Sequence, residues 1–227
     1  MSKQKRAEEQ ASRGLARLPP GRHGIPPEVV AENQRERLTA AAVATFGELG
    51  YNDTTITKIL EAAGVSTRTF YENFSDKQAC FLATYELVAD YLGEAVAVAG
   101  SEDDPWPDRV RARIDALLDA FAANPALASF ALIAPATAGG DVADRQRRFG
   151  ADLLAALLAG YPEPQPGFSE ATEQAMVGGM VALIADQVEM GEGEGMDRLA
   201  PQLLALLLTP YLGRDEAFRL AREGSAA

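Results

Sequence analysis

The sequence predicts an all-α protein. Apolar residues recur at intervals of three and four along most of the chain, the period of a helix face. No stretch of any length alternates between apolar and polar residues as a half-buried strand would, and no internal repeat is present. Clusters of Pro and Gly cut the chain into segments of helical length. At 227 residues, 47% hydrophobic and 24% charged, it has the size and composition of a globular protein with a real core.

The elements follow in order. Residues 1–27 carry Lys3, Lys5, Arg6, Arg13, Arg17 and Arg22 against Glu8 and Glu9, and Pro and Gly interrupt their second half. They read either as a solvated tail or as a basic arm that enters a minor groove, with Arg22 and His23 nearest the first helix. A helix is expected over 27–49, with Leu38, Ala42, Val43 and Phe46 on its apolar face, Arg35, Arg37 and Thr45 on its polar face, and Gly50 ending it. Ile56, Ile59, Leu60 and Ala63 then make a short apolar face, capped by the hydroxyl of Thr54 or Thr55. Gly64 supplies the left-handed residue that ends it. Val65 plugs the corner, and Ser66 caps a second short helix over 67–73 with Phe70 inward, joined by Phe74. A capping box, Ser75 to Gln78, opens a helix over 76–99, with Phe81, Leu82, Tyr85, Val88, Leu92 and Val96 inward. Gly100 to Pro107 is a break, in which Trp106 either covers a core edge or lines a pocket. Helices over 108–123, 125–133 (Asn124 as cap) and 141–160 follow, then a Pro-rich loop with Pro162, Pro164 and Pro166. Two apolar helices, 169–190 and 196–212, and a short amphipathic one, 215–222, complete the chain.

Two short helices meeting at a Gly, with polar residues outward on the second, form a helix-turn-helix pattern. The N-terminal end of such a second helix meets base edges when it enters a major groove. Arg68 can donate a bidentate pair to guanine, and Thr67 and Thr69 can meet thymine methyls or phosphates. Tyr71 and Lys77 are placed to reach phosphate oxygens, as is Thr45. With Thr55, Asn73 and Arg22 these residues make up the expected DNA-binding set.

Gly50-Tyr51, Thr54-Thr55-Ile56, Ile59, Ala63-Gly64-Val65-Ser66, Thr69-Phe70-Tyr71, Phe74 and Asp76-Lys77, at these spacings, resemble the DNA-binding core of the TetR family of bacterial transcriptional regulators. The match covers roughly residues 28–80. Leu60 stands where a small Ala is commonest and Cys80 where a larger aliphatic is. The resemblance implies an arm (1–27), a three-helix helix-turn-helix DNA-binding domain (28–78) and a larger helical effector-binding and dimerisation domain (79–227). It further implies a homodimer through the last two long helices, about 169–190 and 196–212. Such a dimer would be a repressor on a palindromic double-stranded operator, released by a small-molecule effector held among helices of 81–160. Phe81, Tyr85, Trp106, Phe121, Phe130 and Phe149 are apolar candidates for the pocket wall, each also readable as core.

The net charge of −12 does not oppose DNA binding, because it is unevenly spread. Residues 1–78 hold 11 Lys and Arg against 10 Asp and Glu, whereas the remainder holds 10 against 23. An acidic body keeps the contact with phosphates local and oriented. An enzyme or lipid carrier built on the same apolar body is the alternative. Against an enzyme, His23 is the only imidazole, the carboxylates are scattered, and no phosphate loop or nucleophile elbow is present. One His and one Cys leave no zinc constellation, and no cofactor is expected. A nucleoid-type binder without an effector would carry more positive charge over its body. No run approaches the ~18 apolar residues of a membrane span. The N-terminus has no signal-peptide core, and one Cys makes no internal disulfide, so a cytoplasmic location is expected.

Overall fold

The structure, a computed structural model, describes residues 27–138, 140–161, 169–190 and 193–223. The expected basic arm, including Arg22, and the Pro-rich loop lie outside the described residues. Among the described residues there are ten α-helices, two 3-10 turns and no strand. The helices are α1 (Pro27–Asp53), α2 (Ile56–Ala63), α3 (Thr67–Asn73), α4 (Lys77–Ala97) and α5 (Trp106–Ala123), then α6 (Pro125–Leu132), α7 (Gly140–Leu158), α8 (Glu170–Glu189), α9 (Ala200–Leu212) and α10 (Arg214–Glu223).

Gly50 interrupts α1 as expected, at φ 74° and ψ 173°, but one more turn follows it before the chain leaves the helix. Helix starts that differ from the sequence expectation do so for local reasons at α4, α5 and α9. Asp76, not Ser75, caps α4: its carboxylate accepts from the Ala79 N–H at 2.8 Å, while the Ser75 hydroxyl donates to that same carboxylate. A carboxylate beside the positive helix end outcompetes a neutral hydroxyl. Trp106 is not in the break but begins α5, because Pro107 is tolerated only in a first turn, where its missing N–H has no partner to lose. Pro201 likewise confines α9 to Ala200 onward, and a 3-10 turn over Gly193–Arg198 precedes it.

One continuous core joins the N-terminal helices to the rest. Phe46 of α1 meets Phe81 of α4 edge-on at 4.9 Å, and Phe81 packs on Phe130 of α6 at 4.9 Å and on Tyr85 at 6.0 Å. Tyr85 then meets Phe149 of α7 edge-on at 5.8 Å, and its hydroxyl donates to the Ala131 carbonyl. Where α1 crosses α6, Gly47 lets the backbones touch: a Cβ there would lie 2.2 Å from the Ala126 carbonyl oxygen. Trp106 covers a core edge rather than lining a pocket. Its indole donates to the Leu158 carbonyl at 3.2 Å, and its rings pack against Tyr161 at 4.2 Å and Tyr211 at 5.4 Å. Among the described residues no single helix is long and apolar enough to cross a membrane.

Candidate nucleic-acid interface

The turn between α2 and α3 is specified by its own residues. Thr55 caps α2, its hydroxyl accepting from the Lys58 N–H at 3.3 Å. Gly64 takes the left-handed conformation, φ 60° and ψ 39°, and its N–H closes on the Leu60 carbonyl at 2.8 Å. Arg37 of α1 donates to the Ala63 and Gly64 carbonyls, satisfying acceptors that the end of α2 leaves without helical partners. Ser66 caps α3 by accepting from the Thr69 N–H at 3.1 Å. Phe70 and Phe74 anchor α3 on the core.

A second brace holds the start of α2. Thr54 is fully buried, its hydroxyl donating to the Gly50 carbonyl at 2.7 Å with the Thr45 carbonyl also in reach. The Lys77 ammonium, at the start of α4, donates to the Tyr51 and Thr54 carbonyls at 2.8 and 3.0 Å. It also sits 4.3 Å from the Tyr51 ring centroid, a cation–π contact. Burial, and then the nearby Asp76 carboxylate, push the Tyr51 phenol above its ordinary value, so this ring stays neutral beside the ammonium.

These contacts sort the expected DNA-binding residues. Thr67, Arg68 and Tyr71 of α3 face outward, the Arg68 side chain 88% exposed and Tyr71 56%. Arg68 pairs only with Glu72 one turn on, at 2.8 Å, and the charged hydrogen bond pushes its guanidinium further from deprotonation. Thr55 is exposed at the start of α2. Asn73 is half-buried, its amide donating to the Thr69 carbonyl at 2.8 Å.

Three residues are corrected. Thr45 is buried and its hydroxyl donates back to the Ala41 carbonyl at 2.7 Å, so it faces the core and not a phosphate. Thr69 is also buried, with its hydroxyl 2.9 Å from that of Ser66. Lys77 spends its ammonium on backbone carbonyls, so its first role is to tie α4 to the loop before α2. Lys58 carries no motif signal, yet it is exposed in the first turn of α2 near Thr55, its ammonium donating to the Asp53 carbonyl at 2.9 Å.

Two spaces lie within the expected effector region among the described residues. Between α5, α6, α7 and α8 lies an apolar cavity of about 10 Å³, room for a single water at most. Phe121 and Phe149 line it, whereas Phe81, Tyr85 and Phe130 belong to the ring cluster of the core. A larger cleft of about 380 Å³ opens between α4 and α7.

Residues 38–84, which hold α2, α3, the Thr54 and Lys77 braces and the start of α4, match the model of the tetR family of bacterial regulatory proteins. Residues 38–84 are a TetR-family domain. The transcriptional dual regulator CecR of Shigella flexneri is 33% identical over 90 residues, 37% of this chain and 40% of that protein. The chain spans between about a third and a half of the length of the curated relatives it matches first. In fold, it is similar to the fatty acid degradation regulator FadR of Bacillus halodurans, with a TM-score of 0.66 at 20% identity, covering 76% of this chain and 97% of that one. FadR of Bacillus subtilis, solved in complex with stearoyl-CoA, gives 0.60 at 17% identity over 78% and 98%. These likenesses show that the fold shared with those two proteins extends over the helices beyond α4.

Proposed function

We propose that this TetR-family chain is a cytoplasmic, homodimeric transcriptional regulator, a repressor released from a palindromic operator by a small molecule. One observation carries the reading: every inward residue of α3 is spent on packing or capping, while Thr67, Arg68 and Tyr71 are exposed on one face. A helix that exposes an Arg at its start and buries its opposite face on a braced frame suits insertion into a major groove. Lys58 and Thr55 flank that face for phosphate contact. Residues 28–78 act as the DNA-binding unit and 79–227 as the unit that binds effector and partner.

The outward side of α8 supports a dimer. Ala171, Ala175, Gly178 and Ala182 form an exposed stripe of small residues, and an apolar groove of about 550 Å³ runs beside it. Leu206, Pro210 and Phe218 line that groove. A second copy packed there places two copies of α3 for half-sites about one DNA turn apart. An effector that binds one conformer better shifts the spacing between the two α3 helices, by no more than its differential affinity.

The test is fluorescence anisotropy of the full chain on DNA selected from a random pool, at several salt concentrations. Expected are a palindromic consensus and two chains per site. Arg68→Ala should weaken that binding about tenfold or more with an unchanged melting temperature, because Arg68 is solvated and packs on nothing but Glu72. A pool that yields no consensus, or full affinity in Arg68→Ala, overturns the reading.

A further inference from the structure

The cleft between α4 and α7 has its own chemistry. Glu86, Asp90 and Glu94 follow one another along one face of α4, and Asp152 faces them from α7. Among the described residues that line the cleft, the one cation, Arg145, is already paired with Glu86. The remaining carboxylates line the same 380 Å³ with no ion pair among the described residues. The wall is apolar elsewhere: Ala89 from α4, Phe149 and Leu153 from α7. Gly93 completes it, and a Cβ built there meets nothing within 4 Å, so the missing side chain leaves the cleft open at its middle. Phe149 and Leu153 also line the closed cavity behind, so one pair of side chains separates the charged cleft from the apolar interior.

We infer that this cleft binds an amphipathic organic cation, an alkyl- or arylammonium whose charge lies among Asp90, Glu94 and Asp152 and whose apolar part lies on Phe149 and Leu153. Charge complementarity selects the sign: an ammonium gains from each carboxylate, whereas an anionic head is repelled by them. A coenzyme A thioester, the ligand of the Bacillus subtilis FadR complex, would bring phosphate charge to this rim. The apolar wall selects for a hydrocarbon body, which gains by leaving water. As an effector site the cleft rests on the regulator reading above; as a binding site it stands by itself. Its link to the DNA face is the run of rings from Phe149 through Tyr85 and Phe81 to Phe46 and Tyr51, the last of which meets Phe81 edge-on at 5.3 Å.

Calorimetry of the full chain with three probes of one chain length tests this: octyltrimethylammonium, octanol and octyl sulfate. The cation should bind once per chain and at least about tenfold more tightly than either other probe. Asp90→Asn and Asp152→Asn should each weaken it about threefold to tenfold without changing octanol binding. Gly93→Leu should abolish binding by filling the cleft, with the unliganded melting temperature unchanged or raised, since Leu favours a helix interior over Gly. Equal binding of the three probes, preference for octyl sulfate, or intact cation binding in Gly93→Leu would overturn the inference. Selected-DNA binding is read separately: its failure removes the regulator reading alone, and failure of calorimetry with DNA binding intact removes the cleft alone.

Discussion

Gly64 is the residue on which the α2–α3 angle turns. Its φ of 60° is a conformation that costs an L side chain roughly 1–2 kcal/mol. A Cβ there would also lie 2.8 Å from the Arg37 guanidinium that closes the end of α2. Gly64→Ala is therefore expected to destabilise the chain by about 1–2 kcal/mol in urea unfolding. It should lower affinity for selected DNA as well, because displaced Arg37 no longer holds the Ala63 and Gly64 carbonyls. Unchanged affinity at reduced stability would mean that the brace contributes to folding alone. The sequence makes this Gly legible, since a Gly just past an apolar helical run is a local signal. It does not reveal Arg37, 27 residues earlier, as the side chain that completes the turn.

At the scale of elements, α4 joins the DNA-binding helices to the rest, and its start is held by two neighbours with different jobs. Asp76 caps the helix and Lys77 ties it to the loop before α2. The Ala79 N–H, and then the Ser75 hydroxyl, hold the Asp76 carboxyl below its ordinary value of 3.8. A carboxyl whose folded value is depressed stabilises the fold above its unfolded value and loses that contribution as pH falls through the folded one. The stability difference between the natural chain and Asp76→Asn should therefore be full above about pH 5 and shrink steadily below about pH 4. Urea midpoints measured across that range would read it, and a difference independent of pH would rule out the carboxylate as cap. The sequence signals a cap in this stretch but points to Ser75. Two adjacent capping residues look alike in a string, and the chain's entry angle decides which one reaches the first-turn N–H groups.

At the scale of the molecule, α8 buries one side on α6 and α7 and leaves small residues outward. Nothing within 4 Å would meet a Cβ at Gly178, so Gly178→Arg should fold normally as a single chain. In the proposed dimer, that Arg enters the interface. The variant is expected to sediment as a monomer and to bind selected DNA about 10²-fold more weakly, as two linked half-site contacts become one. A dimer that persists in Gly178→Arg would place the interface elsewhere.

What is written within a few turns of chain was legible in the sequence: the all-α class, the breaks at Gly50 and Gly64, the caps Ser66 and Asn124, and the helix-turn-helix pattern; of the two hydroxyls offered for α2, the structure chose Thr55. Such features depend on backbone conformation and hydrogen bonds between near neighbours, so residue type and spacing are enough. Only the tertiary structure decided which polar residues are free to meet a partner. Thr45 and Thr69 look as available as Thr67 in the sequence, yet they are buried against other helices, and Lys77 serves two distant carbonyls. Exposure of one side chain depends on elements far away in the chain, and the α4–α7 cleft exists only because two such elements leave Gly93 facing open space.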